Sequence, residues 1–506
     1  MLRGGTVLDQ RRLRCKELEE KVMSAEEAAQ FIKPGMTVGT SGFTPAGYPK
    51  AVPLELAKRA ENGEELKLTI MTGASVGPEI DARLAESGAM VRRYPYQTNG
   101  TSRKKINEGS VKYVDMHLSH SSQQIKAGFL GPVHVAIIEA VAITKDGGIV
   151  PSTSVGNSNI YVEKAEKVIV EINTSQPLEL EGTHDIYDIP LPPHRKPIPL
   201  TKVDQRIGVP YIPCDPDKIV AIVETDITDK SRPVAPIDEI SEKMAKNLIE
   251  FLSNEVKENR LPENLLPLQS GVGSVANAVL AGLANSPFEH LTVFSEVLQD
   301  SVFSLIDCGK VDFASGTSIT LSPEKLETFP EDIKRFKDKI ILRPQEISNN
   351  PGLARRLGVI AMNTALEVDI YGNVNSTHVS GTRMMNGIGG SGDFTRGGYL
   401  SIFTTASTAK GGAVSSIVPM VSHIDHTEHD TMVIVTEQGV ADLRGLDPVE
   451  RAECLIEKCA HPDYKDQLRG YLEEALQHKG KHTPHNLEKA LSWYTRLAET
   501  GTMKES

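Results

Sequence analysis

The sequence repeats itself in outline, and this repeat constrains the fold more than any other feature. Four short segments of the first half recur in the same order in the second half. They pair Ser41-Gly42 with Ser270-Gly271, Leu68–Ile70 with Leu291–Val293, Gly148–Thr153 with Gly372–Thr377, and Val168–Val170 with Val433–Val435. The first three pairs lie 229, 223 and 224 residues apart, and the fourth lies 265 apart. We therefore expect a duplicated domain, with about 41 extra residues between the last two segments of the second copy.

The predicted elements are those of an α/β fold. Short runs rich in β-branched residues alternate with helical patterns and glycine turns, which is typical of buried, largely parallel strands. These runs are Thr37–Thr40, Leu66–Thr72, Val135–Ile143, Val168–Ile172, Leu291–Ser295, Lys339–Leu342, Val359–Ala361 and Met432–Thr436. The tail is predicted to be helical at Pro448–Cys459, Tyr464–Gln477 and Asn486–Leu497.

The boundary between the two copies is predicted in a polar, proline-containing stretch, Asp226–Ile237. We expect an N-terminal domain at residues 1–228 and a C-terminal domain at residues 229–506. Each would be an open-sheet α/β domain, and the second would carry the helical tail.

Composition narrows the classes of partner. The formal net charge is −12, which argues against a nucleic-acid-binding protein. The longest apolar run, Val135–Ile143, is interrupted by Glu139 and is too short to cross a membrane. The five cysteines are scattered and odd in number, so they predict neither a disulfide framework nor a zinc ribbon, and a reducing compartment fits them best.

The N-terminal segment has no apolar core of a signal peptide. It is rich in arginine and poor in acids, with Arg3, Arg11, Arg12 and Arg14 against Asp9. We expect a cytoplasmic protein with a frayed leader, and a mitochondrial presequence is the alternative.

One position distinguishes the two copies chemically. Gly73 of the first copy corresponds to Glu296 of the second, just after a predicted strand, where α/β sheets place their ligands. A glutamate there can act as a nucleophile or a general base. The alternative is an acidic residue that only favours a helix dipole.

Glycine-rich loops are the next candidates. The run Gly387–Gly392 lies in the expected extra segment and offers backbone N–H groups for an oxyanion hole, or forms only a tight surface turn. Gln269–Asn277 opens a helix whose N–H groups can hold a phosphate, or is an ordinary turn. Its counterpart, Thr40–Lys50, contains Phe43 and either walls a small acyl pocket or serves as a turn.

Two further groups are ambiguous. His423, His426 and His429 resemble a metal-binding cluster, but solvated loop histidines are the expected outcome. Lys410 lies among small residues and either meets a phosphate or is simply exposed.

Taken together, several motifs resemble the acetyl-CoA hydrolase/transferase family, and within it the succinyl-CoA CoA-transferases. In chain order they are Ser41–Lys50, Gln269–Ala278, Ser295–Asp300, Asp369–Thr377, Met385–Phe394 and Val435–Gly445. The resemblance runs from about Lys21 to Thr502. Class I CoA-transferases of this kind consist of two similar α/β domains, which agrees with the repeat found independently.

The resemblance implies roles for individual residues. Glu296 matches the nucleophilic glutamate, and Gly390 matches the oxyanion-stabilising glycine. The residues that match the CoA-lining stretch and its polar contacts are Gly271, Val272, Gly273, Ser274, Val275, Asn373, Gly390 and Lys410. Those that match positions around the small carboxylate or the glutamate are Ser75, Thr98, Asn349 and Glu437, beside the candidate wall residue Phe43.

The resemblance further implies acyl-CoA and small carboxylates as substrates, no metal, no cofactor beyond CoA, no membrane or nucleic-acid partner, and a homodimer. Glu296 is followed by Val297 and not by the Asn-Gly of ketoacid CoA-transferases, which disfavours acetoacetate as acceptor. Three hypotheses remain open. They are a CoA-transferase, an acyl-CoA hydrolase that uses the same residues, and a non-catalytic CoA- or nucleotide-binding regulator.

Overall fold

The computed structural model describes residues 9–231, 233, 236–271 and 273–505. These residues form two compact units. The first contains the chain up to Pro233 together with residues 294–303 and 313–353, and the second contains the remainder. The division at residues 228 and 229 stays a prediction from the repeat. By packing, however, the segment with Glu296 belongs to the first unit and not to the C-terminal half.

A mostly parallel sheet forms the centre of the first unit. Its strands are β1 (Thr37–Thr40), β2 (Leu68–Met71), β3 (Met90–Tyr94), β4 (Lys112–Tyr113), β5 (Val135–Ile143), β6 (Ile149–Pro151), β7 (Lys167–Asn173) and β8 (Ile219–Thr225). They pair in the order β4-β3-β2-β1-β5-β7-β8, and β6 pairs antiparallel with β5. Every residue of β5 is buried, as expected for a central strand covered on both faces.

Helices cover the first sheet. They are α1 (Ala25–Ala29), α2 (Ala51–Glu61), α3 (Pro78–Asp81), α4 (Arg83–Glu86), α5 (Gly100–Asn107), α6 (Leu118–Lys126) and α7 (Ser158–Lys164). Ser24 and Glu27 form the predicted capping box at the start of α1, so two N–H groups of the first turn are satisfied. Helix α2 buries Val52, Leu56 and Ala57, whose spacing puts them on one face, against the strands.

The remaining strands belong to the second half of the chain. They are β9 (Leu268–Ser270), β10 (Leu291–Phe294), β11 (Val297–Leu298), β12 (Val311–Gly316), β13 (Ser318–Ile319), β14 (Ile340–Leu342), β15 (Ile360–Thr364), β16 (Glu367–Asp369), β17 (Val374–Asn375), β18 (His378–Val379), β19 (Arg383–Met384), β20 (Leu400–Thr404), β21 (Thr408–Ala409), β22 (Val414–Ser415), β23 (Ile417–Val418), β24 (Val433–Thr436) and β25 (Gly439–Asp442). In the second unit β10, β9, β15, β20 and β24 are parallel neighbours in that order, and β25 continues the sheet antiparallel.

The helices of this half are α8 (Glu239–Lys257), α9 (Ser274–Ala284), α10 (Asp300–Asp307), α11 (Pro323–Phe336), α12 (Gln345–Ser348), α13 (Pro351–Leu357), α14 (Ser391–Gly397), α15 (Pro448–Cys459), α16 (Pro462–Ala475) and α17 (Ser492–Thr500). The last three confirm the helical tail. They share one buried core with the strands of the second unit, to which Tyr464 and Trp493 contribute. The α/β fold class with parallel open sheets is thus confirmed.

The strand registers also confirm that the second sheet repeats the first. Val38, Val135 and Lys167 are aligned across β1, β5 and β7. Leu268, Ile360 and Leu400 are aligned in the same way across β9, β15 and β20. Counterpart positions therefore lie 230, 225 and 233 residues apart along the whole row.

This register corrects the fourth repeat segment. The neighbour of β15 is β20 and not β24, so the counterpart of Val168–Val170 lies in β20 rather than at Val433–Val435. The expected 41-residue insertion therefore does not exist at that place. The glycine run Gly387–Gly392 is not an extra segment either. It leads into α14 much as residues 155–157 lead into α7 in the first copy.

Candidate active site

Glu296 lies at the turn between β10 and β11, two residues after the end of β10, as predicted from its counterpart Gly73. Its backbone is fixed on both sides. The Ser295 N–H donates to the carbonyl of Ser315 (3.0 Å), and the Glu296 carbonyl accepts from the N–H groups of Thr317 (2.8 Å) and Ser318 (3.1 Å). The turn that presents the glutamate is therefore part of the hydrogen-bonded framework.

Thr317 connects this turn to the first copy. The Val155 N–H donates to the Thr317 carbonyl (2.9 Å), and the Gly156 N–H donates to its hydroxyl (3.0 Å). Sequence reasoning missed Thr317, because these partners lie 161 residues apart and no local pattern marks the contact. The base of the Glu296 turn is thus held by the segment that precedes α7.

The Glu296 side chain accepts a hydrogen bond from Asn349, whose Nδ2 lies 2.6 Å from Oε1. Asn349 is buried, and the Ser348 hydroxyl donates to its Oδ1 (3.0 Å). Burial raises the pKa of Glu296 to about 7, while the hydrogen bond from Asn349 opposes that rise. The predicted proximity of Asn349 to the glutamate is therefore observed.

Helix α12 places Asn349, and Gln345 holds this helix. The Gln345 N–H donates to the Gly156 carbonyl (2.9 Å). Its side-chain Nε2 donates to the Leu118 carbonyl (3.0 Å) and the Ser121 hydroxyl (2.9 Å) at the start of α6. Sequence reasoning missed Gln345 as well, since its partners come from distant segments.

A cluster of buried apolar residues, here called the apolar wall, includes the residue that follows Glu296 in sequence. Phe43, Ala74, Leu118 and Val297 form one buried cluster, with Tyr96 packed against it. Val297 follows Glu296 in sequence, so this cluster includes the chain neighbour of the glutamate. Phe43 is therefore part of an apolar cluster with Val297, and its role in an acyl pocket stays a prediction.

Ser75 and Thr98 lie together at the edge of this wall. The Thr98 N–H donates to the Ser75 hydroxyl (3.1 Å), and that hydroxyl donates to Asp81 (2.8 Å). Asp81 is in turn paired with the buried Arg93 at 2.9 Å. Because Ser75 follows Ala74 in the wall, a polar edge adjoins the apolar cluster in the first unit.

In the second unit, the loop predicted to bind CoA precedes α9. The Gly271 N–H donates to the Met362 carbonyl (3.2 Å), and Gly273 has a φ of 125°, which favours glycine. Ser274 and Val275 begin the helix, whose first N–H groups point to its N-terminal end. Val272 lies outside the described residues.

Gly390 immediately precedes α14 and is buried. Ser391, the first residue of that helix, contacts the ring of His426 at 3.0 Å from Nε2. His426 is thus a buried structural histidine and not the solvated loop residue that was expected. Among the residues that the structure describes, no cluster of three or more His, Cys, Asp or Glu side chains is suited to a metal ion.

The other predicted CoA-site residues differ in their surroundings. Asn373 Nδ2 donates to Asp369 (3.0 Å), and its Oδ1 accepts from the Glu428 N–H (3.0 Å). Lys410 is exposed in the short 3₁₀ helix Lys410–Gly412 and has a φ of 49°. Asn373 therefore stabilises its own turn, whereas the Lys410 ammonium faces solvent.

Glu437 is held within the second unit. It accepts from the Ser407 N–H (2.9 Å) and from Gln438 Nε2 (3.0 Å), and the Ser407 hydroxyl also donates to it. Although burial acts in the opposite direction, these donors lower the pKa of Glu437, so it is a carboxylate at neutral pH.

In the described parts of the chain, no helix is both long and apolar enough to traverse a bilayer.

Comparison with known proteins extends this description. The N-terminal domain model of the acetyl-CoA hydrolase/transferase family matches residues 6–224, and its C-terminal domain model matches residues 327–472. Among solved structures, RipA from Yersinia pestis is 24% identical with a TM-score of 0.70, covering 90% of this chain and 97% of its own. A 4-hydroxybutyrate CoA-transferase from Porphyromonas gingivalis is 21% identical with a TM-score of 0.63, covering 91% and 99%.

Curated relatives are similar over nearly the full length. A succinyl-CoA:acetate CoA-transferase from Clostridium kluyveri is 60% identical, over 98% of this chain and 92% of the relative. An acetyl-CoA hydrolase from Candida glabrata is 48% identical over 97% of both chains. A propanoyl-CoA:succinate CoA transferase from Escherichia coli is 45% identical over 95% and 98%. The chain therefore belongs to the acetyl-CoA hydrolase/transferase family.

Proposed function

We propose that this protein is a class I CoA-transferase that moves CoA between succinyl-CoA or acetyl-CoA and acetate or succinate. The observation that carries the proposal is the Glu296 side chain, which accepts a hydrogen bond from the buried Asn349 and whose chain neighbour Val297 belongs to the apolar wall. The 60% identity to a succinyl-CoA:acetate CoA-transferase supports the substrate class.

Glu296 acts as the nucleophile in this proposal. Its carboxylate attacks the acyl-CoA thioester, which gives an acyl-glutamyl anhydride and CoA thiolate. The thiolate then attacks the glutamyl carbonyl, which forms a glutamyl-CoA thioester and releases the first carboxylate. A second carboxylate reverses both steps and leaves as the new acyl-CoA. The exchange is nearly isoenergetic, and the proposed chemistry uses no metal and no cofactor beyond CoA.

The environment of Glu296 suits both of its states. The free enzyme needs a carboxylate to attack, and the Asn349 hydrogen bond favours that charged form. Burial destabilises the charge, which makes conversion to an uncharged anhydride or thioester easier. In each step a tetrahedral oxyanion forms, and we assign its stabilisation to the backbone at Gly390.

The family resemblance supports substrate contacts within each unit, taken separately. In the first unit, Phe43, Ser75 and Thr98 are proposed to receive the small carboxylate. In the second unit, CoA is proposed to bind at the start of α9 and at nearby polar groups, namely Gly271, Val272, Gly273, Ser274, Val275, Asn373, Gly390 and Lys410. Glu437 is proposed as a further polar site residue, because it matches a family position around the small carboxylate or the glutamate. A homodimer in the cytoplasm remains part of this proposal.

Acetyl-CoA hydrolysis is the second candidate. It is favoured by the relatives described as acetyl-CoA hydrolases, of which the one from Saccharomyces cerevisiae is 47% identical over 97% of both chains. The same glutamate would serve, with water replacing the second carboxylate. A transferase must keep water from the glutamyl thioester, whereas a hydrolase must admit it.

Replacement of Glu296 tests the enzymatic proposal. Glu296→Gln should lower acyl exchange between succinyl-CoA and acetate by at least about a thousandfold, because it removes the nucleophile and keeps the side-chain shape. Glu327→Gln, at an exposed position of α11, is the matched control and should retain full activity. Full activity of a folded Glu296→Gln protein would exclude both the transferase and the hydrolase mechanism.

A further inference from the structure

A buried charged cluster lies at the carboxyl ends of the strands of the first sheet, apart from the residues assigned to the reaction. It consists of Lys50, Glu139 and Asp229, which are all buried. The Lys50 ammonium lies 2.8 Å from Asp229 Oδ1, donates to Glu139, and donates to the Tyr48 carbonyl at 2.8 Å. The Lys50 ammonium therefore pairs with two carboxylates in the core of the first unit.

Asp229 links segments that are far apart in sequence. Its Oδ2 accepts from the Gly47 N–H (3.1 Å), the Thr153 hydroxyl (3.0 Å) and Gln176 Nε2 (3.0 Å). The loop that ends at Gly47 carries Phe43 of the apolar wall. Thr153 precedes the segment whose N–H groups hold Thr317, and hence the Glu296 turn. Asp229 thus contacts the loop that carries Phe43 and also Thr153, which lies two residues before the segment that holds the Glu296 turn.

Glu139, which lies in β5, contacts the loop after β1 and the segment after β6. It accepts from the Ser152 hydroxyl (2.7 Å) and from Asn173 Nδ2 (2.9 Å), besides Lys50. Its own N–H donates to the Ser41 hydroxyl at 2.8 Å. The cluster therefore joins the loop after β1 to the segment after β6.

The second copy shows that the fold does not require carboxylates at the two strand positions, Glu139 and Glu171. Glu139 and Glu171 are register partners in β5 and β7, and both lie against the first turn of α2, where Glu171 accepts from the N–H groups of Lys50, Ala51 and Val52. At the equivalent positions of β15 and β20 the register partners are Thr364 and Thr404. These two line a small cavity of about 10 Å³ beside the first turn of α9.

Buried ion pairs contribute little to stability by themselves, because desolvation offsets their attraction. The strand carboxylates occur only in the copy that carries the proposed acyl pocket. Stability alone therefore does not account for the cluster. Resting on the proposed function, we propose that Lys50, Glu139 and Asp229 are positioning residues. They hold the Phe43 loop and the 153–156 segment so that the wall and the Glu296 turn keep the dimensions of a short acyl group.

Asp229→Asn tests this role, since it removes the charge and keeps the shape. We expect kcat/KM for acetate to fall about tenfold and the preference for acetate over butyrate to fall about fivefold, with unchanged affinity for free CoA. Thr153→Val, which removes one of the three donors to Asp229, is a milder variant and should show a smaller loss of the same selectivity. Glu255→Gln is the matched control. It alters a buried carboxylate paired with Arg260 and Arg444 in the second unit and should leave the selectivity unchanged.

Amide hydrogen exchange provides a readout that does not depend on activity. Peptides covering residues 43–47 and 153–157 should exchange faster in Asp229→Asn and Thr153→Val than in the wild type, and should not change in Glu255→Gln. If selectivity and exchange in both variants match the wild type, the positioning role is wrong. If exchange rises but the wild type itself shows no carboxylate-dependent acyl transfer, the proposed function fails while the positioning role stands.

Discussion

At the scale of single residues, the balance between burial and one hydrogen bond sets the reactivity of Glu296. Burial favours the neutral acid, and the Asn349 amide favours the carboxylate. Because the pKa is raised to about 7, the carboxylate form of Glu296 loses population as the pH falls through the neutral range. The rate of acylation should therefore rise with pH through this range.

Asn349→Ala removes the group that favours the charge. The pKa of Glu296 should rise further, so the ascending limb of kcat/KM against pH should move above its wild-type midpoint of about 7. At pH 6.5 the variant should lose about tenfold in kcat/KM, the effect of one hydrogen bond to a charged group. Initial rates with acetyl-CoA between pH 5 and 9 measure the shift. An unchanged midpoint would show that Asn349 does not tune the glutamate.

Glu296→Gln should also stabilise the protein, in a pH-dependent way. The folded-state pKa of about 7 lies above the usual value of 4.5, so folding disfavours the charge. This cost is absent below pH 4.5, grows between pH 4.5 and 7, and is complete above pH 7. We expect the variant to be more stable than the wild type by about 1–2 kcal/mol at pH 8 and equally stable at pH 4. Urea unfolding at both values measures this, and equal stabilities at pH 8 would contradict it.

The sequence predicted Glu296 as a candidate site residue, but it did not reveal the residues that hold the Glu296 turn. Glu296 was visible because its counterpart in the other copy is Gly73, and because its motif resembles a family. Thr317 and Gln345 were not visible, since they act through residues 155–156 and the start of α6, which are distant in sequence. His426 was misjudged because nothing local indicated that Ser391 contacts it.

At the scale of elements, several buried strands and the first helix of the tail were predicted well. The bounds of β1, β5 and α15 agree exactly with the predicted Thr37–Thr40, Val135–Ile143 and Pro448–Cys459. Strands β3, β8, β12 and β20 are among those that were missed. Polar or charged residues interrupt β3, β12 and β20, whereas β8 was missed despite its strongly apolar sequence. Missing β20 caused the error in the repeat, since the next apolar strand, β24, was taken as the counterpart of β7.

Close packing around Gly73 explains why the first copy cannot carry a glutamate at the position that corresponds to Glu296. A Cβ atom at Gly73 would lie 2.7 Å from the Gly42 carbonyl oxygen and 3.1 Å from the Gly156 Cα, so backbone atoms would have to move. Gly73→Ala should therefore destabilise the protein by about 1–3 kcal/mol. Gly100→Ala, where no heavy atom lies within 4 Å, is the control and should be nearly neutral. Denaturant unfolding compares them, and equal effects would contradict the close packing.

At the scale of the whole molecule, the net charge of −12 opposes an anionic ligand such as CoA. For the proposed CoA binding we therefore expect local groups to act, namely helix N–H groups, glycine amides and the exposed Lys410. The charge excluded nucleic acid as an expected partner, but it could not identify these groups. Family resemblance and the glycine-rich sequence before α9 predict these groups, and their contact with CoA stays a prediction.

The choice between transfer and hydrolysis is a property of the whole enzyme. We expect loss of acetyl-CoA to be at least about a hundredfold faster with succinate present than without it, because a transferase excludes water from its acyl-enzyme. Thioester absorbance with and without succinate measures the ratio. Loss that does not depend on succinate would favour the hydrolase.

The central claim is that Glu296 becomes covalently bound to CoA. The protein should be incubated with acetyl-CoA, treated with borohydride and digested, and the peptide containing Glu296 should be analysed by mass spectrometry. The account predicts that the side-chain carboxyl of Glu296, and of no other glutamate, is reduced to a primary alcohol only after exposure to acetyl-CoA. An unmodified Glu296 peptide from protein that exchanges acyl groups at full rate would contradict the account.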